Sequence, residues 1–167
     1  MRYRYVTLVL LLALGRFAQA QDAKTPPPTC VAPEHRQFDF WLGDWEVRNP
    51  AGKVVGRNTI TSLHKGCVLF ENWTGAGGVT GSSFNLYDAS RKQWHQTWVD
   101  SSGSLLELDG VAGDGGMVLT SAATDNPRNR ITWRVLPDAR VRQLWETSSD
   151  GGATWTTSFD GYYGKKQ

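Results

Sequence analysis

The chain has 167 residues, with 18 Lys and Arg against 16 Asp and Glu, 40% hydrophobic residues, eight Trp and two Cys. That length and hydrophobic share suffice for one domain around one core. The near-balanced charge, without a cluster of Lys or Arg, gives no electrostatic reason to bind nucleic acid or an anionic membrane.

Residues 1–20 read as a secretory signal, with Arg2 and Arg4 as a basic start, Val6 to Leu14 as an apolar core and Ala18-Gln19-Ala20 as a small-x-small cleavage site. The apolar run falls short of the ~20 residues that span a bilayer, and no later stretch approaches it. Gln21, not Cys, follows the cleavage site, so a soluble exported chain is expected, periplasmic or secreted, with no membrane insertion of the mature part. Arg2, Arg4 and Arg16 go with the leader, which leaves 147 residues holding 15 bases and 16 acids. Residues 21–33 carry Pro26, Pro27, Pro28 and Pro33 among polar residues, a composition for an extended tether outside any ladder. In an oxidising compartment Cys30 and Cys67 are expected to pair and so pin this segment to an early strand; two unpaired thiols are the alternative.

From Glu34 to Trp41 the apolar positions Phe38, Trp41 and Leu42 recur at helical spacing after Pro33, which predicts a short helix or a few turns before Gly43 breaks it. Beyond Gly43 the period changes to that of strands. Ten are predicted, near 44–48, 54–64, 68–74, 82–87, 93–99, 105–111, 117–123, 130–136, 141–148 and 154–163, each ended by Gly, Asp, Asn or Pro turn chemistry. The connections are too short for helical crossovers, so consecutive strands form antiparallel hairpins. Such a sheet has two exposed edges unless it closes. The expectation for residues 34–167 is an all-β, up-and-down antiparallel barrel, with a sandwich as the alternative and the short helix as a cap on the barrel bottom.

Gly43-Asp44-Trp45, at the end of FDFWLGDWEV, resembles the first-strand signature of lipocalins and the wider calycin group, which include the fatty-acid-binding proteins. That resemblance favours the barrel, implies that Trp45 closes one end of it and implies a cavity for small apolar molecules. Together with GCVLFENWTG at 66–75, WHQTWVDSSG at 94–103 and RQLWETSSDGGATW at 142–155, the motif resembles an uncharacterised family of small exported bacterial proteins over about residues 34 to 163; it implies a fold and no catalytic residues. Nitrobindins, which are ten-stranded barrels, hold haem through a His near the C-terminal end, whereas no His follows His95 here. Fatty-acid-binding proteins hold a carboxylate with an Arg-x-Tyr near the end, whereas Arg140-Val141-Arg142 is followed by Gln143 and Leu144. No cofactor is expected. Ser148-x-Asp150-x-Gly152-x-Thr154-Trp155 is similar to the Asp box of sialidases and many other β proteins; its physics is that of a self-satisfying turn.

Alternation sorts strand side chains onto two faces, and in four strands one phase joins aromatics to hydrogen-bonding groups. These sets are Glu71 with Trp73; Asn85 with Tyr87; Trp94, Gln96, Trp98 and Asp100; and Gln143 with Trp145. Turned inward, Glu71, Trp73, Asn85, Tyr87, Gln96, Trp98, Asp100, Gln143 and Trp145 would line a cavity for a small apolar or aromatic ligand with a few polar handles. The alternative is that these inward Trp residues simply fill a narrow barrel, with their N–H groups bonded to nearby Gln or Glu side chains. A second reading makes buried Glu71 or Asp100 the general acid or base of an isomerase, cyclase or hydrolase. A third is an envelope interaction module with an outer Trp face. His95 alternates with the Trp phase and is expected on the surface. His35, His64 and His95 have no metal-ligand spacing, so no metal site is expected.

Overall fold

The computed structural model describes residues 30–166. The proposed leader and nearly all of the Pro-rich segment lie outside the described residues. Ten antiparallel strands form a closed calycin-like barrel in which each strand pairs with its sequence neighbours and the last pairs with the first. They are β1 (Gly43–Arg48), β2 (Val54–Leu63), β3 (Val68–Gly75), β4 (Thr80–Asp88), β5 (Gln93–Asp100), β6 (Leu105–Gly113), β7 (Gly116–Thr120), β8 (Arg128–Val135), β9 (Val141–Ser148) and β10 (Thr156–Lys165). Trp45 opposite Lys165 and Val47 opposite Tyr163 make the closing seam, which leaves no free edge.

Side-chain chemistry at the strand ends explains why the hairpins turn where they do. Between β4 and β5 the Asp88 carboxylate accepts the backbone amides of Ser90 and Arg91 at 2.9 and 3.2 Å. Asp138 accepts the amide of Arg140 before β9, and Asn49 that of Lys53 before β2. The Asp-box turn behaves as its sequence implies: Asp150 accepts the Thr154 amide at 2.9 Å and the Thr154 hydroxyl at 2.6 Å, while Ser148 receives the Gly152 amide at 2.8 Å. The Thr154 hydroxyl, then that amide, hold the Asp150 carboxyl well below its usual range. Trp155 closes the motif by donating to Gly152 O and lying under the Arg130 guanidinium, 4.1 Å from the ring centroid.

One barrel end is plugged. The predicted helix is two 3-10 turns, Pro33–Arg36 and Asp39–Trp41, interrupted at Phe38 (φ −106°, ψ 5°), and Gly43 at φ +133° follows the second. Phe38 and Trp41 stack with centroids 5.1 Å apart and press on Trp133 at 5.0 and 5.4 Å. Trp45 donates its indole N–H to Trp41 O at 2.8 Å, and the Lys165 ammonium lies 3.9 Å over the Trp45 ring. The expected disulfide is present: Cys30–Cys67, 37 residues apart, ties the chain entering the plug to the corner between β2 and β3. Arg36 reinforces that tie by donating to Gly66 O and pairing with Asp39.

Seven of the eight Trp lie inside the barrel or its plug; Trp155 sits at the rim turn. The outer Trp face that the interaction-module reading requires is therefore not formed. His95 is on the outer wall as expected, bridging Asp109 and Thr97 at 2.8 and 2.9 Å.

Candidate functional site

The inward side chains form three layers, whose depth follows from strand register. Nearest the plug lie Ile60, Leu69, Trp94, Leu108, Met117, Trp133 and Val141, all buried. Above them is a polar layer. Ser83 on β4 is directly opposite Glu71 on β3, and Asn85 is opposite Gln96 on β5, so cross-strand neighbours can bond side chain to side chain. Gln96 Nε2 donates to Asn85 Oδ1 at 2.8 Å, Asn85 Nδ2 to Ser83 Oγ at 2.8 Å, and Ser83 Oγ to Glu71 Oε2 at 2.6 Å. From β2, Asn58 Nδ2 donates to Glu71 Oε1 at 2.6 Å. Across the barrel the Tyr163 hydroxyl donates to Gln143 Oε1.

The uppermost layer is aromatic and open toward the unplugged end. Trp73, Trp98, Trp145 and Phe159, with Leu106 and Ile131, surround a cavity of about 100 Å³ whose floor is Glu71, Gln96, Gln143 and Tyr163. Two indole N–H groups are turned to rim partners: Trp98 donates to Asp100 at 3.3 Å and Trp145 to Asn129 at 2.9 Å. The barrel is thus neither hollow throughout nor filled throughout. Its plugged half is packed and its open half holds the cavity.

Glycines set the shape of these walls. A Cβ at Gly56 would lie 2.4 Å from the Trp73 ring, one at Gly81 would lie 2.3 Å from Trp98, and one at Gly161 would lie 2.5 Å from Phe159. Each ring therefore rests against backbone, which keeps the centre of the barrel clear. Gly81→Ala should drive the Trp98 ring toward the cavity, lower stability by about 1–3 kcal/mol and remove any ligand response of the Trp emission. Gly77→Ala, in a turn where a Cβ meets nothing within 4 Å, is the control and should stay within about 0.5 kcal/mol of the parent. Urea unfolding of both variants checks the pair, and equal midpoints would refute the wall argument.

Glu71 is the chemically unusual member. It is 4% exposed, and burial pushes its carboxyl up to about 7 against the opposing hydrogen bonds from Ser83 and Asn58. Burial, and then the Glu71 charge, hold the Tyr163 hydroxyl well above its usual value, so it remains a neutral donor.

Six of the nine residues singled out from sequence line the cavity: Glu71, Trp73, Gln96, Trp98, Gln143 and Trp145. Asn85 does not; it lies in the polar layer, fully buried. Tyr87 shares the inward phase but sits at the plugged end, with its ring 5.3 Å from His35 and 6.3 Å from Trp94. Asp100 requires a larger correction. Its carboxylate holds the β5–β6 turn by accepting from Ser102 N, Ser102 Oγ and Ser104 N, and the Ser102 hydroxyl leads in lowering its carboxyl to about 2. It is an ionised turn residue and not a candidate acid. Sequence reasoning missed Asn58, Ser83, Leu106, Ile131, Phe159 and Tyr163. The alternation Gly56-Asn58-Ile60 and Gly81-Ser83-Asn85 carried a signal for the first two, with small and polar residues taking the inward positions of two strands.

No protein-family model matches the chain, and no curated protein shows significant similarity to it. The chemistry of the site therefore rests on its geometry. Among the described residues no group of three or more His, Cys, Asp or Glu side chains could hold a metal ion.

Proposed function

We propose that the protein is an exported binder of a small, mostly apolar ligand, which enters the open end of the barrel and rests between indole walls on a polar floor. The carrying observation is the cavity bounded by Trp73, Trp98, Trp145 and Phe159 above Glu71 and Gln143. Its size limits the ligand: an engineered apolar cavity of ~150 Å³ accommodates benzene, so about 100 Å³ takes a smaller molecule or one end of a longer one. Titration of the intrinsic Trp emission with short alcohols, phenols, indoles and lipids tests this. Saturable quenching or a shift by compact ligands is expected, and no response from any class would overturn the reading. Export is supported by the leader pattern in residues 1–20 and by the Cys30–Cys67 disulfide. Protein recovered from the periplasm or the medium should begin at Gln21; protein retained in the cytoplasm with Met1 in place would contradict it.

A second reading is favoured by one observation: Glu71 is buried with a raised carboxyl pKa and has no Lys or Arg partner among the described residues. A group ionising near pH 7 suits general acid–base chemistry of an isomerase, cyclase or hydrolase. A bound compound should then be converted by the parent, and bound but left unconverted by Glu71→Gln. Equal turnover by both proteins would eliminate Glu71 as the acid or base.

A further inference from the structure

The polar layer is built around an anion that lacks a counter-charge among the described residues. Its donors run one way, from Gln96 through Asn85 and Ser83 to one Glu71 oxygen and from Asn58 to the other, so the carboxylate form is the one they solvate. None of these donors is charged. The ion pairs of the barrel wall, such as Arg130–Glu146 and Arg142–Asp160, belong to the outward phase, and among the described residues no cationic side chain lines the cavity. A buried carboxylate with its donors in place and no cation is incomplete. The walls above it are π surfaces whose Trp98 and Trp145 N–H groups are already engaged at the rim. They therefore present ring surface in place of hydrogen bonds, which is what attracts a desolvated cation.

Resting on the cavity reading above, we infer that the ligand carries a small methylated ammonium group, seated over the Glu71 carboxylate and enclosed by Trp73, Trp98, Trp145 and Phe159. The volume fits. Scaling from benzene in ~150 Å³ gives room for about four heavy atoms, the size of a trimethylammonium head, while a longer substituent passes through the open end. Methyl groups meet the indoles and the charge meets the carboxylate, so such a head satisfies both layers where a purely apolar one leaves the floor unmatched.

Binding must then be linked to the ionisation of Glu71. The other titratable group facing it is Tyr163 on β10, which stays neutral; the facing groups from β2, β4 and β5 are Asn58, Ser83, Asn85 and Gln96, and from β9 Gln143 and Trp145, none of which titrates. The proton on Glu71 competes with the cation, so affinity should rise as pH increases and level off above about 7.

The test compares choline with its uncharged carbon isostere, 3,3-dimethylbutan-1-ol, by calorimetry and Trp emission at pH 5 and pH 8. Choline should bind at least about tenfold more tightly than the isostere at pH 8 and about a hundredfold more weakly at pH 5 than at pH 8. The isostere should gain no affinity as pH rises, and Glu71→Gln should lose both the preference for choline and its pH dependence. Equal or tighter binding of the isostere at pH 8 overturns the ammonium inference and leaves the cavity reading intact. Silence from choline and isostere together with the neutral panel above overturns both. Should Glu71→Gln fail to fold, the parent decides alone, since a flat choline affinity between pH 5 and 8 overturns the inference.

Discussion

Trp133→Ala is expected to lower the unfolding free energy by about 3–5 kcal/mol, the range for removing a large aromatic from a packed core. Trp133 is fully buried where the β8 wall meets the plug, touching Phe38 and Trp41, so the void would open between two elements held together mainly by aromatic contact. At roughly 3 °C per kcal/mol for a domain of this size, the thermal midpoint should fall by roughly 10–15 °C. A paired substitution separates packing from hydrogen bonding. The Trp133 indole N–H has no acceptor among the described residues, whereas that of Trp45 donates to Trp41 O. Trp133→Phe removes a stranded donor along with some volume, while Trp45→Phe removes a made hydrogen bond and leaves a buried carbonyl short of a partner. Trp133→Phe should therefore be the milder of the two. Thermal and urea unfolding of the three variants check the order, and a Trp133→Ala midpoint equal to the parent's would show that the plug is not seated on this residue.

The same residues show which parts of the protein the sequence discloses. Alternation and turn chemistry are local, and they placed ten strands with errors confined to their ends: β7 stops at Thr120, not Ala123, because the Asn129 amide donates to the Ser121 hydroxyl and the backbone ladder ends there. Phase was legible too, since Trp73, Trp98 and Trp145 share the inward side with Glu71, Gln96 and Gln143. Depth was not. Alternation assigns a face and says nothing of how far along the barrel axis a residue sits, which is why Tyr87 and Trp98, in one phase on adjacent strands, lie toward opposite ends of the barrel. Asp100 marks a second limit. As the last residue of β5 its carboxylate could reach either the interior or its own turn, and local side-chain-to-backbone bonds prevailed, as they do for Asp at such positions. Cavity size was beyond a one-dimensional reading, because it depends on indoles lying over Gly56 and Gly81 on neighbouring strands, and such pairs exist only once register is set.

Glu71 supplies the second large effect, visible in stability. Its carboxyl is raised from an ordinary 4.5 to about 7 by burial, so the folded protein holds a proton that the unfolded chain releases. The contribution is fully present below pH 4.5, is lost as pH rises from there to about 7, and is constant above that. The gap corresponds to about 3 kcal/mol, at about 1.4 kcal/mol per pH unit within the window. Glu71→Gln keeps the shape of the protonated acid without the ionisation, so the difference between variant and parent should grow by about 3 kcal/mol in favour of Gln between pH 4.5 and 8. Asp100 and Asp150 have lowered carboxyl values; they lose their contributions on acidification below the usual carboxylate range, outside this window and equally in both proteins. Urea unfolding of the pair across that range measures the difference, and parallel stability curves would show that Glu71 ionises as an ordinary surface acid. At neutral pH and above, Gln would make the more stable barrel. An acid that weakens its own fold, set in a layer of donors that leads to it and beneath a cavity, is the residue on which the proposed ligand reading rests.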